Sequence, residues 1–175
     1  MSASSTVWQG AGRRIHMQEV GTRDGLQMEQ AFVPTEEKIA LVNALSNAGL
    51  SKIEVTSFTS PTAIPALRDA EIVMREITRR AGTVYTALVP NVRGAERAIE
   101  ARTDELNLVM SASETHNISN LRMTREQSFA SLAQVVATAQ AAQVAVNVSL
   151  SCVFGCPMEG NVAPAEVLGW VQRFI

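Results

Sequence analysis

Long apolar runs are missing from this sequence. No stretch of it approaches ~18 uninterrupted apolar residues, which excludes a transmembrane helix. An excess of one charge sign is missing too. Lys and Arg number 15 against 17 Asp and Glu, for a net charge of −2, with no long basic run. Neither a nucleic acid nor a membrane surface is therefore an expected partner. Cysteine is scarce: Cys152 and Cys156 are the only two. Their spacing is neither that of a zinc pair nor that of a C-x-x-C redox motif. A tetrahedral zinc site would need further ligands, and histidine is as rare: His16 and His116 are the only two and lie in distant segments. The cysteines read as two reduced thiols in a loop. No GxGxxG loop is present, which weakens a dinucleotide-binding reading. Met1 to Gly12 lacks the apolar core and basic start of a signal peptide. It reads as a short disordered lead, residues 1–12, and the expected location is cytoplasmic.

What is present is an ordinary globular composition, 46% hydrophobic and 18% charged, in 175 residues. That is enough chain for one domain with a sizeable core, here placed at 13–175. Hydrophobic periodicity alternates between strand and helix along its whole length. Ile15–Val20 reads as a first strand, with His16 expected to be packed or hydrogen-bonded. A helix follows, with Thr35 as its cap, Glu36 and Glu37 in its first turn and Gly49 after its end. Strands are predicted at Ile53–Thr56, Val84–Val89, Glu105–Met110 and Val144–Leu150. Helices are predicted from Pro65 to near Gly82, from Arg93 to Arg102, after a Thr124 cap, and from Pro164 onward. Ser111 to Met123 reads as a polar loop, long enough to hint at function. Five strand–helix units in order fit either a doubly wound sheet or a (β/α)₈ barrel, and periodicity does not choose between them.

The stretch that organises the chain is Glu19 to Gln30, EVGTRDGLQMEQ. It follows the first strand, and Gly21 and Gly25 flank Arg23 and Asp24. An Arg beside an Asp is ordinarily a solvated loop pair. Directly after the first strand of an alternating chain, however, it sits where α/β barrels place catalytic groups. These residues also resemble the signature of the hydroxymethylglutaryl-CoA lyase family, a branch of the metal-dependent lyase and synthase barrels. That branch usually has Pro where this chain has Thr22, and Asn where it has Met28. Leu26 separates it from related synthases, which carry an acidic residue there. Ile53–Phe58, Val89–Gly94, Ser111–Glu114 and Ser151–Gly160 resemble the family's later motifs in the right order.

The resemblance implies a (β/α)₈ TIM barrel (pyruvate carboxyltransferase-like), of which about the first five units are present. Such a barrel takes ~250 residues, so the chain reads as truncated at its C-terminus. It also implies retro-Claisen cleavage of 3-hydroxy-3-methylglutaryl-CoA, or a related 3-hydroxyacyl-CoA, to acetyl-CoA and a 3-oxo acid, a step of leucine degradation and ketone-body metabolism. Asp24 is then the metal ligand, for Mg²⁺ or Mn²⁺, because hard cations take carboxylate oxygen. Arg23 binds substrate and stabilises the enolate, since a guanidinium stays charged and offers rigid donors. Glu54 holds Arg23 or assists proton transfer; a bare salt-bridge role is the alternative. Gln27 orients the loop or the substrate. Glu114 is a candidate supporting group, and His116 reads more simply as a solvated loop histidine.

The family's H-x-H metal ligands, its catalytic cysteine and an Asn ligand come from later units, and neither Cys152 nor Cys156 matches that cysteine. The 175-residue chain alone is therefore expected to be inactive, and a homo-oligomer is expected at full length. Two other readings stand beside the lyase. One is a non-catalytic partial barrel that binds an acyl-CoA or a protein partner; the other is a Claisen-type synthase of the same barrel group.

Overall fold

The computed structural model describes residues 16–175. The proposed lead at 1–12, and Ile15 of the first predicted strand, lie outside the described residues. Five strands form one parallel sheet: β1 (Gln18–Glu19), β2 (Lys52–Ser57), β3 (Val84–Leu88), β4 (Glu105–Ser111) and β5 (Ala145–Ser151). Each lies beside its predecessor, in the order β1-β2-β3-β4-β5. A doubly wound sheet would reverse its strand order at a switch point. Unbroken order is the barrel's sequence of strands, so topology settles what periodicity leaves open.

The helices are α1 (Thr35–Asn47), α2 (Ala70–Glu76), α3 (Val92–Glu100), α4 (Glu114–Leu121), α5 (Arg125–Ala141) and α6 (Pro164–Phe174). The apolar core lies between them and one face of the sheet. Ile53, Val55, Tyr85, Ala87, Leu106, Leu108 and Met110 pack there against Val42, Val73, Met74, Ala98, Leu132 and Val135. Full burial of a large apolar side chain contributes about 1.5–3 kcal/mol. The other face is polar, and there Glu54, Thr86, Asn107 and Asn147 are hydrogen-bonded to one another across the strands.

Several expectations are corrected. The first strand shrinks to two residues, and His16 is exposed rather than packed. Thr35 is the first helical residue, not the cap, and its hydroxyl is used by Asp69 instead. The second helix opens as a 3-10 turn at Pro65–Leu67 and is α-helical only over α2. The supposed loop at 111–123 contains α4, capped by Ser113, whose Oγ accepts from His116 N at 3.1 Å. Its run of Ser, Thr and Asn has weak helix propensity, and the cap supplies what the propensity does not. Thr124 does cap α5, in a reciprocal capping box with Gln127.

Candidate active site

Parallel strands put all their carboxyl ends on one side, and the five motif blocks gather there. After β1 the chain makes a π-helical turn, Gly21–Gly25, closed by Leu26 N–H reaching the Gly21 carbonyl. The turn is pinned to β2. Buried Thr22 donates from Oγ1 to the Glu54 carbonyl at 2.6 Å, a bond that the usual proline could not make. Thr22 is thus an anchor of the turn. Met28 is 78% exposed.

Arg23 and Asp24 emerge from this turn. Arg23 Nε donates to Glu54 Oε2 at 2.9 Å, and Nη1 donates to Asp24 Oδ1 at 2.6 Å. Glu54 is 3% exposed. An unpaired buried carboxylate would cost several kcal/mol, and Arg23 prevents that. The remaining guanidinium N–H groups make no protein hydrogen bond among the described residues. Arg23 borders a cleft of about 630 Å³ that Asp24, Gln27, Asn91, Asn120 and Ser151 also help to line. Asn91 also caps α3, accepting from Gly94 N at 2.9 Å. A Cβ on Gly94 would come to 3.0 Å from the Phe58 carbonyl oxygen, a contact tight enough that a side chain there would have to push α3 away from the end of β2.

The structure therefore brings together four of the residues singled out in the sequence: Arg23, Asp24, Gln27 and Glu54. Gln27 Oε1 is buried and has no hydrogen-bond partner. Asp24 is 60% exposed at its side chain and beside the cleft. Among the described residues no group of three or more His, Cys, Asp and Glu is placed to hold a metal. Asp24 thus fits as one oxygen ligand of a hard cation and does not make a site by itself.

Other candidates fall elsewhere. His116 lies on α4 rather than in a solvated loop; it is half-buried, with Nδ1 buried and unpartnered, and it does not line the cleft. Glu114 ties α4 to α5, accepting from Arg125 N at 2.9 Å and Nε at 3.0 Å. Both cysteines are free thiols. Burial pushes the Cys156 thiol up, but hydrogen bonds from Ser113 Oγ, the Met158 and Glu159 backbone and Cys152 outweigh it and hold the thiol below its usual range.

Asn107 is the residue that sequence reasoning missed. Its amide reaches Glu54 Oε1 at 2.9 Å. A signal was available: an asparagine in the middle of the apolar run Leu106-Asn107-Leu108, where strands disfavour it. Asn147 repeats the pattern on β5, directly opposite.

A parallel sheet in barrel order, with its charged cluster at the carboxyl ends, defines part of a (β/α)₈ enzyme-type barrel. Comparison with known proteins makes the assignment specific. Residues 14–175 match the HMGL-like family model, and the chain belongs to that family. It is 47% identical to the hydroxymethylglutaryl-CoA lyase of Bacillus subtilis over 156 residues, covering 89% of this chain and 52% of that protein. Against the mitochondrial hydroxymethylglutaryl-CoA lyase of Rattus norvegicus it is 41% identical over 168 residues, covering 95% and 52%. Among solved structures, the B. subtilis HMG-CoA lyase superposes with a TM-score of 0.89 at 46% identity, covering 92% of this chain and 54% of that one. An HMG-CoA lyase from Acinetobacter baumannii in complex with coenzyme A and 3-methylmalate gives 0.85 at 50% identity, covering 90% and 51%. The chain spans about half the length of the curated relatives it matches.

Proposed function

We propose that this chain carries the first-strand machinery of a divalent-metal-dependent carbon–carbon lyase. It would cleave 3-hydroxy-3-methylglutaryl-CoA, or a related 3-hydroxyacyl-CoA, to acetyl-CoA and a 3-oxo acid. The observation that carries the proposal is the Arg23 guanidinium, anchored on buried Glu54 with donors left uncommitted at the cleft. Retro-Claisen cleavage moves negative charge onto the thioester oxygen. A preorganised cationic donor that meets that charge commonly contributes ~10²–10³ in rate. Arg23 is assigned this role, and Glu54 holds it in place. Gln27, with its unpartnered buried Oε1, accepts from a substrate hydroxyl or amide. Asp24 supplies one ligand to Mg²⁺ or Mn²⁺. When bound, such a cation would lower the pKa of the substrate hydroxyl and fix its orientation.

One exposed carboxylate holds a hydrated cation weakly, so the 175-residue chain alone is expected to turn over little. A cytoplasmic location, supported by a cytoplasmic mouse relative at 39% identity, and a homo-oligomeric full-length protein belong to the same proposal. The test is acetyl-CoA release from 3-hydroxy-3-methylglutaryl-CoA by the protein expressed from its full gene, with Mg²⁺ or Mn²⁺ and then with chelator. Metal-dependent release is expected. Binding of coenzyme A without any release would favour a non-catalytic acyl-CoA binder and sink the lyase reading.

A further inference from the structure

The polar seam that holds Glu54 continues past it. Asn107 is 4% exposed in mid-β4. A buried amide costs free energy unless its donors and acceptor are matched. Here they are. Nδ2 donates to Glu54 Oε1 at 2.9 Å and to Thr86 Oγ1 at 3.1 Å, while Oδ1 accepts from Asn147 Nδ2 at 3.3 Å. The Glu54 carboxylate, which only accepts, gives the amide its direction, and Asn147 matches it from the other side. Flipped, it would set oxygen against the Glu54 carboxylate and nitrogen against the nitrogen of Asn147, and both contacts would repel. With Oε1 held by Asn107, Glu54 presents Oε2 to Arg23 Nε.

We infer that Asn107 is a positioning residue: the Asn147–Asn107–Glu54 chain fixes the carboxylate orientation that aims the Arg23 guanidinium into the cleft. The inference rests on the role proposed above for Arg23. Misplacing a catalytic group by about 1 Å costs on the order of 10² in rate. That is the loss in kcat expected for Asn107→Leu, at every pH.

Asn107→Asp, of the same shape, separates positioning from packing. The new carboxyl faces Glu54, which Arg23 pairs through its other oxygen. Thr86 and Asn147 beside it are neutral, and the nearby Lys52–Glu105 ion pair on the same strands is closed on itself. Two carboxylates so close share a proton. While the new group keeps that proton, it donates to Glu54 as the amide does. Once the proton is lost, it repels Glu54. Turnover of the Asn107→Asp full-length protein should therefore fall as pH rises and return as pH drops, on a profile the wild type and Asn107→Leu lack. A wild-type profile for Asn107→Asp overturns the inference.

Hydrogen exchange at Arg23 Nε–H, followed by NMR, keeps the inference separate from the lyase reading. If the wild type releases no acetyl-CoA, the lyase reading fails, and this measurement decides. Protection that Asn107→Asp loses at high pH and regains at low pH supports positioning. Protection equal to wild type at all pH values overturns it.

Discussion

Two ion pairs in this molecule are each built on a buried carboxylate, Asp69 and Glu54, and the difference between their cations separates structure from chemistry. Lys38 on α1 meets Asp69 just before α2, with side-chain exposures of 4% and 6%. Nζ donates to Asp69 Oδ1 at 2.7 Å and to the Ala66 carbonyl at 2.6 Å, and it lies 4.1 Å from the centre of the Phe32 ring. Asp69 Oδ2 accepts from Thr35 Oγ1 at 2.8 Å. Every strong group in that cluster faces protein. Arg23 and Glu54 also pair, but Arg23 keeps N–H groups without protein partners and borders a cleft. A saturated pair tightens the fold. An unsaturated one, held from behind, is a donor kept ready for a ligand.

The contrast can be broken by mutation. The largest effect is expected from Lys38→Met, which strands a buried Asp69 charge. It should remove about 3–5 kcal/mol of stability in urea unfolding while leaving turnover per folded molecule unchanged. Adding Asp69→Leu should return much of that loss, because the uncompensated charge is gone. A stable Lys38→Met protein with damaged turnover would erase the distinction.

Arg23→Lys is the converse. A lysine still neutralises Glu54 but lacks the planar fork that serves Glu54, Asp24 and a ligand together. Turnover is expected to fall ~10²–10³-fold, with a nearly unchanged unfolding midpoint. Thr22→Val should cost about 1–3 kcal/mol, since it leaves the buried turn without its bond to the Glu54 carbonyl. Turnover should decline with it as the Arg23 turn loosens.

The smallest effect concerns a partly exposed pair away from the cleft. Burial pushes the Glu71 carboxyl up, but the hydrogen bond from Arg97, at 2.6 Å, its own backbone, and the charges of Arg97 and Arg75 hold it below its ordinary value of 4.5. A depressed folded-state value means stability that is present above 4.5 and lost as pH falls through the folded value. Glu71→Gln should flatten the acid limb of the stability curve by that small share, with no change at neutral turnover. An identical acid limb in the variant would remove Glu71 from the account.

The candidate site was half visible in the chain. Arg23, Asp24 and Gln27 lie within five positions, 23–27, and a Gly-flanked turn at a strand end marks them out. Glu54 stood out as a charge inside an apolar strand, Ile53–Thr56. Asn107 and Asn147 did not, because an amide in a strand has no meaning until its register partner is known. Asn107 is 53 residues from Glu54 and 40 from Asn147. The same limit hid α4, whose residues are poor helix formers held by the Ser113 cap and packing.

The sequence by itself determined the alternation of strands and helices, most element positions to within a few residues, and the charged turn after β1. Those are local properties: periodicity, caps and breakers act over a few residues. The resemblance implied the barrel, and the strand order bears it out. Only the tertiary structure decided that Thr35 and Lys38 serve Asp69, and that a seam of amides stands behind Glu54. Those depend on which strand lies beside which, and in what register. Burial then enforces the outcome, since a polar group taken out of water must find its partner across the sheet or cost the fold its stability.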